Sequence, residues 1–126
     1  MTAVREVMST DLVTVEPSTM MIDAVRAMSK ARVGSVLVLE DGALLGIFTE
    51  RDLLRAFDQM HADPARVSPL SKGMTRDPLT IGPNATVGEA MDRMLDGGFR
   101  HLPVMDGGTL VGIVSMRDLA QSISKG

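Results

Sequence analysis

The sequence has no cysteine, no tryptophan and no tyrosine, and three phenylalanines are its only aromatic residues. Without cysteine there is no disulfide framework, no thiolate zinc site and no cysteine nucleophile. Its two histidines, His61 and His101, are too few for a histidine-rich metal site. The aromatic platforms on which single-stranded nucleic acid stacks are missing. Positive charge is not in excess either: 13 Lys and Arg stand against 16 Asp and Glu, a net charge of −3. A DNA partner is therefore not expected. No apolar run approaches the ~18 residues of a membrane span. The opening Met1–Glu6 lacks a basic stretch followed by an apolar one and is not expected to be a signal peptide. What remains is a chain of 126 residues with 44% hydrophobic residues and a mean hydropathy of +0.14. That is enough for a real core and argues against disorder. The expectation is a soluble, cytoplasmic protein of one compact domain or two small ones.

The sequence is one unit written twice. Displaced by 66 residues without a gap, Met8 meets Met74, Asp11 meets Asp77, Thr14 meets Thr80 and Pro17 meets Pro83. Ala24 then meets Ala90, Met28 meets Met94, Val38 meets Val104 and Gly42 meets Gly108. Leu44-Leu45-Gly46-Ile47 falls on Leu110-Val111-Gly112-Ile113, and Arg51-Asp52-Leu53 on Arg117-Asp118-Leu119. This register divides the chain into copies at 4–58 and 67–124, joined by a polar linker at 59–66 that Pro64 interrupts.

Each copy reads as strand, helix, strand, strand, helix, an α+β unit. Leu12–Val15 and Leu79–Ile81 are predicted short strands ended by Pro17 and Pro83. The stripe Met21, Ala24, Val25, Met28 recurs as Val87, Ala90, Met91, Met94 and predicts two amphipathic helices. Thr86 and Glu89 fit a capping box at the start of the second of these. Strands at 35–39 and 44–48 are joined by the hairpin signal Asp41-Gly42. Their counterparts at 101–105 and 109–114 are joined by Asp106-Gly107-Gly108. The closing helices carry Leu53, Leu54 and Phe57, or Leu119, Ala120 and Ile123. A copy of this size buries only ~60% of its unfolded surface and is marginal alone. The simplest arrangement is a pseudo-two-fold pair with two inter-repeat clefts.

The segments Gly46-Ile47-Phe48-Thr49-Glu50-Arg51-Asp52 and Gly112-Ile113-Val114-Ser115-Met116-Arg117-Asp118 carry the pattern Gly-hydrophobic-hydrophobic-Thr/Ser-x-x-Asp twice, each after a hairpin. On these residues the chain resembles the tandem cystathionine-β-synthase (CBS) domain pair, the Bateman module, over nearly its whole length. The resemblance implies a regulatory module without catalytic activity. It would bind an adenosine-containing ligand such as AMP, ADP, ATP, S-adenosylmethionine or NAD, and would commonly pair as a homodimer. Here it would act on a protein partner in trans.

The residue chemistry fits that implication. Gly46 and Gly112 allow close approach of a ligand or of a neighbouring backbone. Thr49 and Ser115 stand where strand gives way to helix, where free N–H groups and the helix dipole favour phosphate. Asp52 and Asp118 can accept the two donors of a ribose diol. The same Ser/Thr-x-x-Asp spacing is also nearly a capping box and could simply start a helix.

By the family's pattern each ligand site mixes the copies. One would join Thr49 and Asp52 to Leu79, Phe99, Arg100 and His101; the other would join Ser115 and Asp118 to Val13, Val33, Gly34 and Ser35. Arg100-His101 is basic where the other copy has neutral Gly34-Ser35. The first site is therefore expected to prefer phosphorylated adenosine. Arg100 could instead be a solvated charge, and His101 a satisfied core residue. Arg51 and Arg117, which recur in both copies, could reach phosphate or form surface ion pairs, and the methionine stripes fit core or dimer packing.

Nothing in the sequence assembles an enzyme. Thr49 and Ser115 lack a base partner beyond a distant His101. No metal-ligand cluster is present, and no Gly-x-x-x-x-Gly-Lys-Ser/Thr loop occurs. The readings that stay open are a ligand sensor, a non-binding dimeric scaffold and a small nucleotide hydrolase.

Overall fold

A computed structural model describes residues 1–125. The fold is α+β, and the chain forms two compact units. One comprises 13–78; the other comprises 1–12 together with 79–125. These units are cut differently from the sequence repeats. The first twelve residues pack with the second repeat, and the segment that opens the second repeat packs with the first.

In the unit 13–78 the elements are β1 (Thr14–Val15), α1 (Met21–Ala31), β2 (Ser35–Glu40), β3 (Ala43–Thr49), α2 (Glu50–Met60), α3 (Ala62–Arg66) and β4 (Thr75–Arg76). They build a four-stranded sheet in the order β1-β2-β3-β4. β1 lies parallel to β2, and the other two pairings are antiparallel. The β2–β3 hairpin turns at Asp41 (φ 51°) and Gly42 (φ 80°), the left-handed pair that a two-residue turn requires. The predicted apolar stripe is the buried one. Met21, Ala24 and Met28 of α1 close on Val36 and Val38 of β2, Phe48 of β3, Ala56, Ala65 and Leu70. The expected linker is not merely a polar connection. Residues 62–66 form a helix whose Ala65 is fully buried, and Pro64 sits in its first turn, where no N–H is required.

The other unit repeats the plan with α4 (Val87–Gly97), β5 (His101–Asp106), β6 (Thr109–Ser115) and α5 (Met116–Lys125). Its core joins Val87, Ala90 and Met94 to Leu102, Val104, Val114 and Leu119, with Val4 from the N-terminal segment. Val4 occupies the place that Leu70 holds in the first unit: both are fully buried in short 3-10 turns. Thr86 Oγ1 accepts from Glu89 N–H at 3.0 Å. This is half of the expected capping box; among the described residues Glu89 returns no bond to Thr86.

The predicted strand at 79–81 is not a strand. It is reduced to one parallel bridge, Ile81 to Val104, and the cause is Pro103. In the first unit Leu37 N–H donates to Val13 carbonyl at 2.9 Å. Pro103 stands at the equivalent place and has no N–H to offer residue 79, so the ladder cannot extend. Only the bonds flanking the proline form, Ile81 N–H to Pro103 carbonyl at 3.0 Å and Met105 N–H to Ile81 carbonyl at 2.9 Å.

Candidate functional site

Each Gly-hydrophobic-hydrophobic-Thr/Ser-x-x-Asp segment runs down the end of a hairpin strand and into the next helix. Thr49 is the N-cap of α2 and takes an extended conformation. Its hydroxyl accepts from Asp52 N–H at 3.3 Å, and its own N–H donates to Asp52 Oδ2 at 2.9 Å. In the other unit Asp118 N–H donates to Ser115 Oγ at 3.1 Å, and Ser115 N–H donates to Asp118 Oδ2 at 2.8 Å. Both segments are therefore reciprocal caps, with the carboxylate held at the helix mouth by backbone. The capping reading is realised twice.

The motif glycines serve backbone packing. A Cβ on Gly46 would lie 2.7 Å from Thr75 carbonyl oxygen. One on Gly112 would lie 2.6 Å from Met8 sulfur and 3.0 Å from Ser9 carbonyl oxygen. The segment that opens each repeat thus runs directly over the motif glycine of the unit with which it packs. Neighbouring backbone, one of the two partners open for these glycines, lies against both.

The turn before each hairpin is tied to its own motif. Glu50 N–H donates to Gly34 carbonyl at 3.1 Å, and Ser35 pairs with Thr49 across the β2–β3 ladder. Likewise Met116 N–H donates to Arg100 carbonyl at 2.8 Å, and His101 pairs with Ser115. The unit 13–78 thus brings Thr49 and Asp52 beside Gly34 and Ser35. Val13 is held against β2 through its carbonyl, and Val33 is exposed just beyond the end of α1. The other unit brings Ser115 and Asp118 beside Arg100 and His101. Phe99 lies over Gly97, where an added Cβ would come within 2.5 Å of its ring, and Leu79 is exposed. The Arg100 side chain is exposed and makes no hydrogen bond or ion pair among the described residues.

The two carboxylates differ in their surroundings. Asp52 is 2% exposed. Its Oδ2 accepts from Thr49 N–H and from Thr49 hydroxyl at 3.1 Å. Its Oδ1 accepts from Thr75 hydroxyl at 3.0 Å and is ion-paired to Arg55 one helical turn on. Asp118 is half-buried, and Oδ2 alone accepts, from Ser115 N–H. The equivalents of Thr75 and Arg55 are Ser9 and Gln121, and neither bonds to Asp118 among the described residues.

Beside Asp52 the structure opens a pocket of about 300 Å³, lined by Asp52, Arg55, Gln59, Lys72, Met74 and Thr75 among others. Sequence reasoning missed Arg55, Lys72 and Thr75. One signal pointed to Thr75: a hydroxyl residue follows the recurrent methionine in both copies, as Ser9 and Thr75. Among the described residues no group of three metal-ligating side chains converges, and no helix is long and apolar enough to cross a membrane.

Comparison with known proteins agrees with this architecture. The CBS domain family model matches twice, at residues 4–59 and 67–125. The CBS domain-containing protein YhcV of Bacillus subtilis is 32% identical over 120 residues, covering 95% of this chain and 84% of YhcV. The crystal structure of the CBS-domain containing protein ATU1752 from Agrobacterium tumefaciens superposes with a TM-score of 0.90 at 35% identity, covering 97% of this chain and 99% of that one. The structure of CBSX2 in complex with AMP superposes with a TM-score of 0.83 at 26% identity, covering 99% of this chain and 98% of CBSX2. With the doubled motif capping a helix in each unit and the family model matching both repeats, this chain belongs to the CBS domain family as a tandem pair.

Proposed function

We propose that the protein is a non-catalytic regulatory module that binds an adenosine-containing ligand and signals to a protein partner in trans. The observation that carries this reading is the pair of capped carboxylates. Asp52 and Asp118 each stand at a helix start, fixed by backbone N–H groups. Asp118 keeps one oxygen without a hydrogen-bond partner among the described residues. A fixed anionic acceptor suits a ribose diol, which brings two donors and no charge of its own. CBSX2, a relative of the same fold, is seen with AMP.

The residues proposed to meet the ligand are Thr49, Asp52, Ser115 and Asp118 for ribose and phosphate. Val13, Val33, Leu79 and Phe99 would give apolar contact to adenine, and Gly34, Ser35, Arg100 and His101 would line its approach. Arg100 offers an uncommitted guanidinium fork, well matched to phosphate. AMP, ADP or ATP is therefore favoured over uncharged adenosine, and S-adenosylmethionine and NAD share the same recognisable half. Two copies are proposed to pair as a homodimer. The exposed Leu54 and Phe57 of α2 and Ile123 of α5 favour this reading, which also fits a scaffold role.

Thermal unfolding of the purified protein with AMP, ADP, ATP, S-adenosylmethionine and NADH tests the proposal. A ligand at 100 times its dissociation constant stabilises the folded state by about 2.7 kcal/mol. A shift with at least one of these compounds, reduced by Asp118→Ala or Asp52→Ala, is the expected result. No shift with any of them overturns the proposal and leaves the scaffold. Release of product on incubation with nucleotide would identify a hydrolase instead.

A further inference from the structure

We propose that Arg55 is a built-in competitor for the first motif, so that the two motif carboxylates of this chain load unequally and Asp118 is engaged first. The inference rests on the adenosine reading above and adds an order and a gatekeeper to it. The first motif is already saturated from within. Both oxygens of Asp52 accept two partners each: Thr49 N–H and hydroxyl on Oδ2, Thr75 hydroxyl and the Arg55 guanidinium on Oδ1. The carboxylate side of this pair is 3% exposed, while the Arg55 side chain is 47% exposed. A ribose hydroxyl that reaches Asp52 must displace Arg55 or Thr75. Displacing Arg55 separates a buried carboxylate from its counter-charge.

The second motif has no such lock. Gln121 stands at the place of Arg55 and carries no charge, and Ser9 stands at the place of Thr75. Asp118 is half-buried, and its Oδ1 accepts no hydrogen bond among the described residues. A hydroxyl donor can add there without breaking anything. Arg55 is the residue best placed to yield at the first motif. It lies on the open side of the pair, along the pocket that Gln59 and Lys72 also line. This order is the reverse of the sequence-level expectation, which placed the preferred binding with Asp52.

Calorimetric titration with AMP of the wild type, Arg55→Gln, Arg55→Met, Asp52→Ala and Asp118→Ala tests the inference, with circular-dichroism melts to verify that each variant is folded. The wild type is expected to bind one AMP per chain in its tight phase. Asp118→Ala should weaken that phase by about tenfold or more, the loss of one hydrogen bond to a charged group. Asp52→Ala should weaken it less than Asp118→Ala does. Either Arg55 variant should add or tighten a second phase by a similar factor. Carbon-detected NMR of the aspartate side-chain carboxyl groups gives a reading that needs no variant: in the wild type the Asp118 signal should move before that of Asp52. Two equal phases in the wild type, a tight phase removed by Asp52→Ala, or Arg55 variants with unchanged titrations would overturn the inference and leave the adenosine reading standing. Absence of AMP binding in every protein, together with no response to the other adenosine compounds, would overturn both.

Discussion

The Thr75 hydroxyl donates to Asp52 Oδ1 at 3.0 Å across 23 residues of sequence. It ties the segment that opens the second repeat to the motif of the first. This bond is the polar counterpart of the packing between Thr75 carbonyl and Gly46. Thr75→Val keeps the shape and removes the donor. The variant is expected to destabilise the unit 13–78 by about 1–3 kcal/mol, the usual range for weakening the satisfaction of a buried charged group. Urea denaturation, with amide exchange to locate the loss, measures it. A midpoint equal to the wild type would show that Arg55 and Thr49 alone satisfy Asp52.

The motif glycines should not tolerate alanine equally. At Gly46 the obstructing atom is a backbone carbonyl, which cannot move without shifting β4. At Gly112 the closest atom is the sulfur of Met8, on a flexible side chain. Gly46→Ala is expected to cost about 1–3 kcal/mol, and Gly112→Ala clearly less. Equilibrium unfolding of the two variants side by side decides this. Equal losses would mean that Ser9 carbonyl, not Met8, sets the limit at Gly112.

Arg32 ends α1 in the left-handed region at φ 57°, where the equivalent residue closing α4 is Gly98 at φ 72°. A side chain with a Cβ is strained there. Arg32→Gly is therefore expected to stabilise the protein by about 0.5–1 kcal/mol, after allowing for glycine's greater unfolded-state freedom. A raised denaturation midpoint with an unchanged slope is the expected observation; a lowered midpoint would refute it.

Truncating the two equivalent buried anchors should weaken different parts of the chain. Val4 is packed in the core of the unit containing 79–125, and Leu70 in that of 13–78. Leu70→Ala is expected to cost about 2–5 kcal/mol, with amide protection falling first within 13–78. Val4→Ala removes fewer atoms and should lower protection in 79–125 instead. Loss in the same repeat as the substitution, rather than in the unit it packs with, would contradict the assignment.

Much of this was legible in the sequence. The two helices with their Met/Ala stripes, both hairpins and the doubled motif were recoverable because hydrophobic period and turn chemistry are local. Pro103 was also visible as a residue, but its effect on residue 79 is not. That effect depends on which N–H a neighbouring strand would have used. Which unit takes Val4 and which takes Leu70 was not legible, because a repeat in register has no local mark of the copy against which its first segment packs. Arg55 escaped notice for a related reason. On a helix beside Asp52 it reads as an ordinary i,i+3 pair, and only the burial of the carboxylate and the arrival of Thr75 show that the acceptor is already full. The grouping of site residues by repeat, with Gly34 and Ser35 beside Thr49 and Arg100 and His101 beside Ser115, follows from strand register rather than from any residue type.

The division of the chain also sets an order of events during synthesis. The unit 13–78 is one continuous stretch, and every segment it needs has been made once Pro78 leaves the ribosome. The other unit cannot close until its C-terminal portion exists, so its first twelve residues must wait, with Val4 unburied, while the intervening chain is made and folds. Closing over that distance adds little free energy, because loop entropy grows only logarithmically with length. It does delay the contact, because distant pairings form late. Nascent chains ending between residue 78 and the last strand would therefore display a finished first unit and a bare N-terminal anchor.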